Sequence, residues 1–215
     1  ANVLVNNPVF NDNCSATLTW VMSGVVVDSG SGFVGNYTNP IGTTTITYTV
    51  TDAAGLTSSC TQDITIEDDE DPLISCPGNQ NVNFDDDCEF ILQDYTSFAS
   101  TSDNCNSPIV VTQSPSPGAT ISGAVTVTLT ATDGFNNIST CTFDVIPSDN
   151  TDPIAVAQNY TTYLSVNGTI NIAASDLDNG SSDNCGVANM TVSPSSFNCS
   201  DVGDNTVTFT VYDNA

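Results

Sequence analysis

The sequence contains no lysine, no arginine and no histidine, against 25 Asp and Glu, for a formal net charge of -25. Several functions drop out at once. Nucleic-acid binding requires cations that displace counterions from phosphate. Attraction to anionic lipid headgroups requires the same charges. Histidine acid–base catalysis, Schiff-base lysines and arginine clamps on phosphate have no residues to work with. Lys–Asn isopeptide crosslinks cannot form, and proteases that cut after Lys or Arg find no site. No ion pair between side chains can form either. Every carboxylate must be solvated, bonded to backbone N–H, or neutralised by a bound cation.

Other scarcities narrow the field further. Glu occurs only at Glu67, Glu70 and Glu89, so the acid is almost all Asp. No Cys-x-x-Cys pair occurs, which with the absence of His removes the usual zinc spacings. No apolar run approaches the ~18 residues of a membrane span, so direct membrane insertion is not expected. No secretory leader pattern is present and the first residues already read as strand, as in an interior segment of a longer secreted chain. The pairs that could be imagined as a glycosidase site, Glu70 with Glu89 or the acids Asp85 to Asp87, come with no cleft signature. The expectation is that the chain is not an enzyme.

What is present is β-forming. Thr, Ser, Val, Asn and Asp dominate, a composition of strands and turns. The same punctuation occurs three times. Asp12-Asn13-Cys14 recurs as Asp103-Asn104-Cys105 and as Asp183-Asn184-Cys185. The strand Thr45 to Asp52 recurs as Val125 to Asp133 and Val207 to Asp213, and Asp71-Pro72 recurs as Asp152-Pro153. Asp52 to Asp133 is 81 residues and Asp133 to Asp213 is 80, but Cys14 to Cys105 is 91. The first repeat therefore carries about ten extra residues, and the Gly/Ser-rich stretch Asp28 to Gly35 reads as an inserted loop.

The shared strand alternates with period 2: Ile46, Tyr48 and Val50; Val125, Val127, Leu129 and Ala131; Val207, Phe209 and Val211. The next strand does the same with Ile64 and Ile66, then Phe143 and Val145. Trp20, the one Trp, falls in an alternating strand and is expected in the core. Short alternating strands at regular spacing predict all-β sandwiches with no helix of note. Counting strands gives a partial repeat over 1–71 lacking its first strand, a complete repeat over 72–152, and a partial repeat over 153–215 lacking its last strand. The acidic, Pro-ended linkers Asp68 to Pro72 and Ser148 to Pro153 are short, which favours a stiff rod.

These motifs resemble the hyalin repeat (HYR), an immunoglobulin-like module. The matching residues are Asp71-Pro72-Leu73-Ile74-Ser75-Cys76-Pro77, Asp103-Asn104-Cys105, Val125 to Asp133 and Cys141-Thr142-Phe143-Asp144-Val145, fullest in the middle repeat. The third repeat departs, with Ala157-Gln158-Asn159 where the opening Cys-Pro belongs. Its Ser193 to Cys199 is similar to a variant found in very large surface proteins of Bacteroidota. The resemblance implies tandem immunoglobulin-like β-sandwiches with a structural and adhesive role and no catalytic residues.

The eight cysteines predict disulfides and an oxidising compartment. The first repeat holds only Cys14 and Cys60, which predicts Cys14–Cys60 and, in parallel, Cys105–Cys141. Elimination leaves Cys76–Cys88, although a plain hairpin would put those two at opposite ends. Cys185 is expected with Cys199, or with a cysteine beyond residue 215.

Acidic clusters predict a Ca²⁺ role. The ion takes 6–8 oxygen ligands, and linker acids next to turn acids would supply them. The candidate sets are Asp68, Asp69 and Asp71 with Asp103 and Asp133, and Asp149 and Asp152 with Asp183 and Asp213. The competing reading makes them solvated turn residues, and Asx-turns alone account for Asp52, Asp133 and Asp213. Eight Asn begin N-x-S/T, among them Asn36, Asn137 and Asn167 as glycosylation candidates. The expected partners are neighbouring repeats of the same chain, further copies in a filament, and a surface glycan or other adhesion target. The expected setting is extracellular, at the cell surface. The alternative is a spacer or carbohydrate-binding module of a secreted multidomain enzyme, with Tyr160 and Tyr163 as an exposed aromatic platform.

Overall fold

The computed structural model describes residues 2–105 and 107–214. They form two compact units. The first is Ala1–Asp71 with the loops Asn104–Ser107 and Gly134–Asn137; the second is Pro72–Asp103, Pro108–Asp133 and Ile138–Ala215.

In the first unit, β1 (Asn2–Leu4), β2 (Ala16–Gly24), β3 (Asp28–Ser31), β4 (Asn36–Thr38), β5 (Gly42–Asp52) and β6 (Thr57–Ile66) build two sheets. One has the order β3-β2-β5-β6 and the other is β1-β4. Period-2 alternation turns Ile46 and Tyr48 of β5 inward beside Leu18 and Met22 of β2, all buried, with Trp20, Val50 and Ile64 packed against them. The stretch expected as an inserted loop is instead partly strand. Asp28–Ser31 pairs with β2, Trp20 facing Gly30 across the ladder. Glycine at position 30 has a packing reason: a Cβ there would lie 2.5 Å from Cζ2 of the Trp20 ring. The ring covers the backbone of an otherwise featureless strand, which composition alone reads as loop.

The second unit begins with a sandwich made of β7 (Leu73–Ser75), β8 (Gln80–Asn83), β9 (Phe90–Ile91), β10 (Ser100–Ser102), β11 (Val110–Ser114), β12 (Thr120–Ile121), β13 (Val125–Thr132) and β14 (Ile138–Ser148). The main sheet is β11-β13-β14-β8, faced by the pairs β10-β7 and β12-β9. The β14–β8 contact is parallel and the other pairings in this sandwich are antiparallel. Val127, Leu129, Phe143 and Val145 point between the layers, with Leu92 and Tyr95 from the opposite side. The Tyr95 ring meets Phe143 edge-on, centroids 5.2 Å apart. Thr126, Thr128 and Thr130 alternate to the other face, as the sequence predicts for a sheet with one wet side.

The rest of the second unit is sparser. β15 (Thr169–Asn171) pairs with β17 (Ser196–Asn198), and β16 (Asn189–Ser193) pairs with β18 (Thr208–Tyr212). Single bridges join Ile154 to Ser182 and Ala157 to Asp178. Leu177 and Val211 are its buried apolar side chains. Helix among the described residues is limited to three 3₁₀ turns. The architecture is all-β and immunoglobulin-like.

Candidate functional site

The cysteines pair differently from the expectation. The bonds are Cys76–Cys141 and Cys88–Cys185, with Cα atoms 5.6 Å and 4.9 Å apart. Three predicted pairings, Cys105–Cys141, Cys76–Cys88 and Cys185–Cys199, are thereby corrected, and strand register gives the reason. Cys141 stands opposite Leu129 in the middle of β14, three residues along the ladder from Thr132, which faces the start of β11 at Val110. Cys105 lies five residues before Val110, beyond the end of the ladder. Cys76 instead leaves β7 on the facing layer and packs against the core beside Cys141.

Cys14 and Cys60 are not bonded to each other, and both are exposed thiols. Ala16 faces Asp52 while Cys60 faces Tyr48, four residues further along the ladder. Four residues of strand are roughly 13 Å, and Cys14 lies two residues beyond Ala16. A disulfide tolerates a Cα separation of about 7 Å at most. Equal spacing to the next repeat therefore identified equivalent cysteines and not bonded ones. Cys60 lies on a groove lined by Pro8, Phe10, Leu18 and Tyr48.

The Cys88–Cys185 bond is the centre of the site, because its two ends belong to successive sequence repeats. Cys88 sits in a tight turn. Its N–H donates to the Asp85 carbonyl (3.1 Å), Asp85 N–H donates to the Glu89 carbonyl (2.8 Å), and the Cys88 φ is 58°. Asp85 Oδ1 also accepts from the N–H groups of Asp87 and Glu89. The arriving side is the triplet Asp183-Asn184-Cys185. Cys185 bonds Cys88, and Asn184 Nδ2 donates to the Asp85 carbonyl at 2.9 Å. Asp183 takes up the Cys185 N–H on Oδ1 (2.8 Å), an Asx-turn that fixes the direction of the cysteine.

Asp183 has a second face. One carboxylate oxygen from each of Asp149, Asp183 and Asp213 lies within 4.8 Å of the others. Asp149 Oδ1 accepts the Thr151 N–H at 3.1 Å, leaving its Oδ2, like that of Asp183, inaccessible to solvent and without a hydrogen-bond partner. Two carboxylates at that separation repel by about 3 kcal/mol at an effective dielectric of about 20. This chain contains no cationic side chain to relieve them. An all-oxygen, all-carboxylate donor set suits a hard divalent cation, Ca²⁺ above transition metals. Asp152 is exposed and is not in the group.

The other predicted acidic set divides between the units. Asp68, Asp69 and Asp71 lie in the first and Asp103 and Asp133 in the second. In the first unit Asn104 Nδ2 donates to Glu70 Oε2, and Asn137 Nδ2 donates to the Asp68 carbonyl at 3.1 Å. That second bond engages the nitrogen a glycan would occupy, whereas Asn36 and Asn167 are exposed. Asp52 closes its own turn, accepting from Ala54 and Leu56 N–H at 2.8 Å each. Asp178 is held below the usual carboxylate range by the Ser181 side chain first, with the backbone N–H groups of Ser181, Gly180 and Asn179 adding and burial opposing.

Two functional residues were missed in the sequence, Asn184 and Asp85. For Asn184 the signal in the sequence is the recurrence of the whole triplet Asp-Asn-Cys; for Asp85, whose backbone carbonyl is the acceptor, the sequence carries none.

With this geometry in place, part of the chain can be set beside known modules. Residues 1–66 match the family model of the HYR domain. The match falls on the first repeat, while the quoted motifs are fullest in the middle one. The chain is also 33% identical over 145 residues to the Sushi, von Willebrand factor type A, EGF and pentraxin domain-containing protein 1 of Mus musculus, and equally to that of Rattus norvegicus. The alignment covers 61% of this chain and 4% of either relative, so the chain spans a small fraction of the curated relatives it matches.

Proposed function

We propose that this chain is a structural and adhesive repeat segment of a long extracellular protein at the cell surface, of the kind found in the large surface proteins of Bacteroidota. Its job is mechanical. The observation that carries the reading is the Asp183-Asn184-Cys185 clamp, which joins one repeat to the next by a disulfide, an amide hydrogen bond and a shared acidic cluster. A module that acted alone would have no use for a covalent bond across its border. Disulfides also belong to oxidising compartments, which supports an extracellular setting. An acidic surface with no counter-charge keeps such a rod soluble and discourages lateral collapse.

Ca²⁺ belongs to this reading as the ion that Asp149, Asp183 and Asp213 would hold, stiffening the border. Immunogold electron microscopy of the source cells, with antibody raised against this chain, tests the whole. Label along surface fibres is the expected result; label confined to the cell interior defeats the reading.

A second reading has one observation in its favour. Tyr160 and Tyr163 are exposed, Tyr163 at 86%, as a sugar-binding platform requires. Glycan-array binding that disappears in Tyr163→Ala would move the chain to the carbohydrate-binding class.

A further inference from the structure

The first unit covers less of its main sheet than the middle sandwich does. In the middle sandwich two pairs, β10-β7 and β12-β9, face the main sheet; in the first unit β1-β4 stands alone among the described residues. That pair answers to β9-β12. Val5 and Leu92 directly follow β1 and β9, and both are buried. Their N–H groups donate to the Gly35 and Ala119 carbonyls at 3.1 Å and 2.9 Å. The pair without a counterpart is therefore β10-β7.

One half of that counterpart is in this chain. Counting back from the shared Asp-Asn-Cys, residues 9–11 stand where β10 stands, 91 positions earlier. They belong to no strand, and Val9 is fully exposed. In the middle sandwich β10 pairs antiparallel with β7, Ser100 with Ser75 and Ser102 with Leu73. At the place that corresponds to β7 the first unit has a groove of about 540 Å³, with residues 8–12 on one side and Leu18, Tyr48, Val50 and Cys60 on the other.

The sheet side of the groove is built like a covered surface. Tyr48 faces Cys60 as Leu129 faces Cys141. Alternation sets Cys60 on the core side of β6 with Ile64, yet it is exposed, whereas Cys141 packs on the core and bonds Cys76 at the end of β7. Val50 is half-buried where Ala131 is fully buried. Tyr48 is 2% exposed, and its hydroxyl is shut off from solvent without a hydrogen-bond partner. A buried hydroxyl is costly until a partner reaches it. We propose that the groove seats an extended strand from ahead of residue 1 in the longer protein, antiparallel to residues 9–11, with a cysteine that bonds Cys60. The strand binds residues 9–11 through its backbone and accepts the Tyr48 hydroxyl on a carbonyl. The occupant is a strand of the same protein, because the middle repeat fills the same place with its own β7. Cys60 then ties the two layers of the first repeat.

The chemistry balances with a small-molecule disulfide such as glutathione disulfide as oxidant. The Cys60 thiolate attacks it and expels one glutathione thiolate. The thiolate of the arriving strand then attacks the mixed disulfide and expels the second. Two protein thiols lose two electrons and two protons, and one glutathione disulfide becomes two glutathiones. The inference rests on the reading of this chain as a segment of a longer protein.

The probe is the middle repeat's own strand, the peptide Asp71-Pro72-Leu73-Ile74-Ser75-Cys76-Pro77, with glutathione in disulfide linkage on its cysteine. It is added to the purified chain, where the Cys60 thiolate attacks the peptide sulfur and expels glutathione. Mass mapping after cleavage at Asp, Glu or aromatic residues follows the attachment, since no tryptic site exists. Attachment at Cys60 is expected about tenfold faster, or more, than for the same residues in scrambled order, because the seated strand holds its sulfur at the thiol. Cys14 and Cys199 are expected to react alike with both peptides. Equal rates at Cys60, or the same preference at Cys14, overturn the proposal. Disulfide mapping of the protein isolated from its source cells is the second measurement. A bond from Cys60 to a cysteine ahead of residue 1 is expected; a free Cys60 thiol, or a bond to a cysteine within residues 1–215, overturns the proposal. Neither readout depends on where immunogold label falls, so failure here leaves the adhesive reading standing.

Discussion

Cys141, opposite Leu129 on β14, is bonded to Cys76 at the end of β7, so the two layers of the middle sandwich are tied across their core. The bond closes a span of 65 residues, which on the chain-entropy account stabilises the fold by about 4 kcal/mol. Replacing both cysteines by Ala is expected to lower denaturant stability by roughly 2–5 kcal/mol, measured by urea unfolding. Loss of less than 1 kcal/mol would mean the layers need no tie.

Leu129 is fully buried, whereas Ile91 is 59% exposed. Leu129→Ala is expected to remove about 2–5 kcal/mol through lost burial and a residual cavity. Ile91→Ala should change stability by under about 1 kcal/mol. Comparable losses at the two sites would show that the core is placed wrongly.

For the acidic cluster, adding Ca²⁺ to chelated protein should raise the melting temperature. An ion at a hundred times its dissociation constant stabilises by about 2.7 kcal/mol. The response should disappear in Asp183→Asn, which keeps the Asx-turn acceptor but removes the charge. Identical melting with and without chelator removes calcium from the account.

Stability should fall at both ends of the pH scale. Burial raises Tyr48 and Tyr95 above the ordinary phenol range. Their contribution is complete below about pH 10 and is lost as pH rises through the folded values. Asp28 (by the Tyr37 hydroxyl first), Asp94 (by the Thr96 hydroxyl first) and Asp178 (by the Ser181 side chain first) are held low instead. Their contribution is present above about pH 4 and is lost as pH falls through the folded values. Circular dichroism melts across pH 2–12 check both limbs. An alkaline limb unchanged in the Tyr48→Phe, Tyr95→Phe double variant would refute the phenol assignment.

Alternation carried most of the fold. Ile46, Tyr48, Val127, Leu129, Phe143 and Val145 are buried as their period-2 spacing requires, because a strand has no other way to hide one face. The strand at Asp28–Ser31 was illegible because its signal is a contact, the Trp20 ring over Gly30, and not a property of the Gly/Ser stretch itself. Disulfide partners were illegible for a related reason. Repetition identifies equivalent positions, but pairing depends on layers and register, and Cys88 bonds a residue 97 positions away in another repeat. Closure within each repeat was the expectation; Cys76–Cys141 does close within the middle repeat, but with other partners than expected, and Cys88–Cys185 joins two repeats. Of the acidic set Asp149, Asp152, Asp183 and Asp213, the first, third and fourth lie together and Asp152 does not.

The Cys88–Cys185 bond also decides how this chain answers a pull. Tension entering at β7 and leaving beyond β18 follows the shortest covalent route, which runs from Cys88 through sulfur to Cys185 and bypasses the residues between them. A span of 97 residues, roughly 320 Å when extended at about 3.3 Å each, can never be paid out. Stretched from its ends, most of the middle and third repeats is inextensible whether or not the sandwich is intact. Reduction of Cys88–Cys185 would free the chain beyond Cys141, while Cys76–Cys141 would still hold most of the middle repeat.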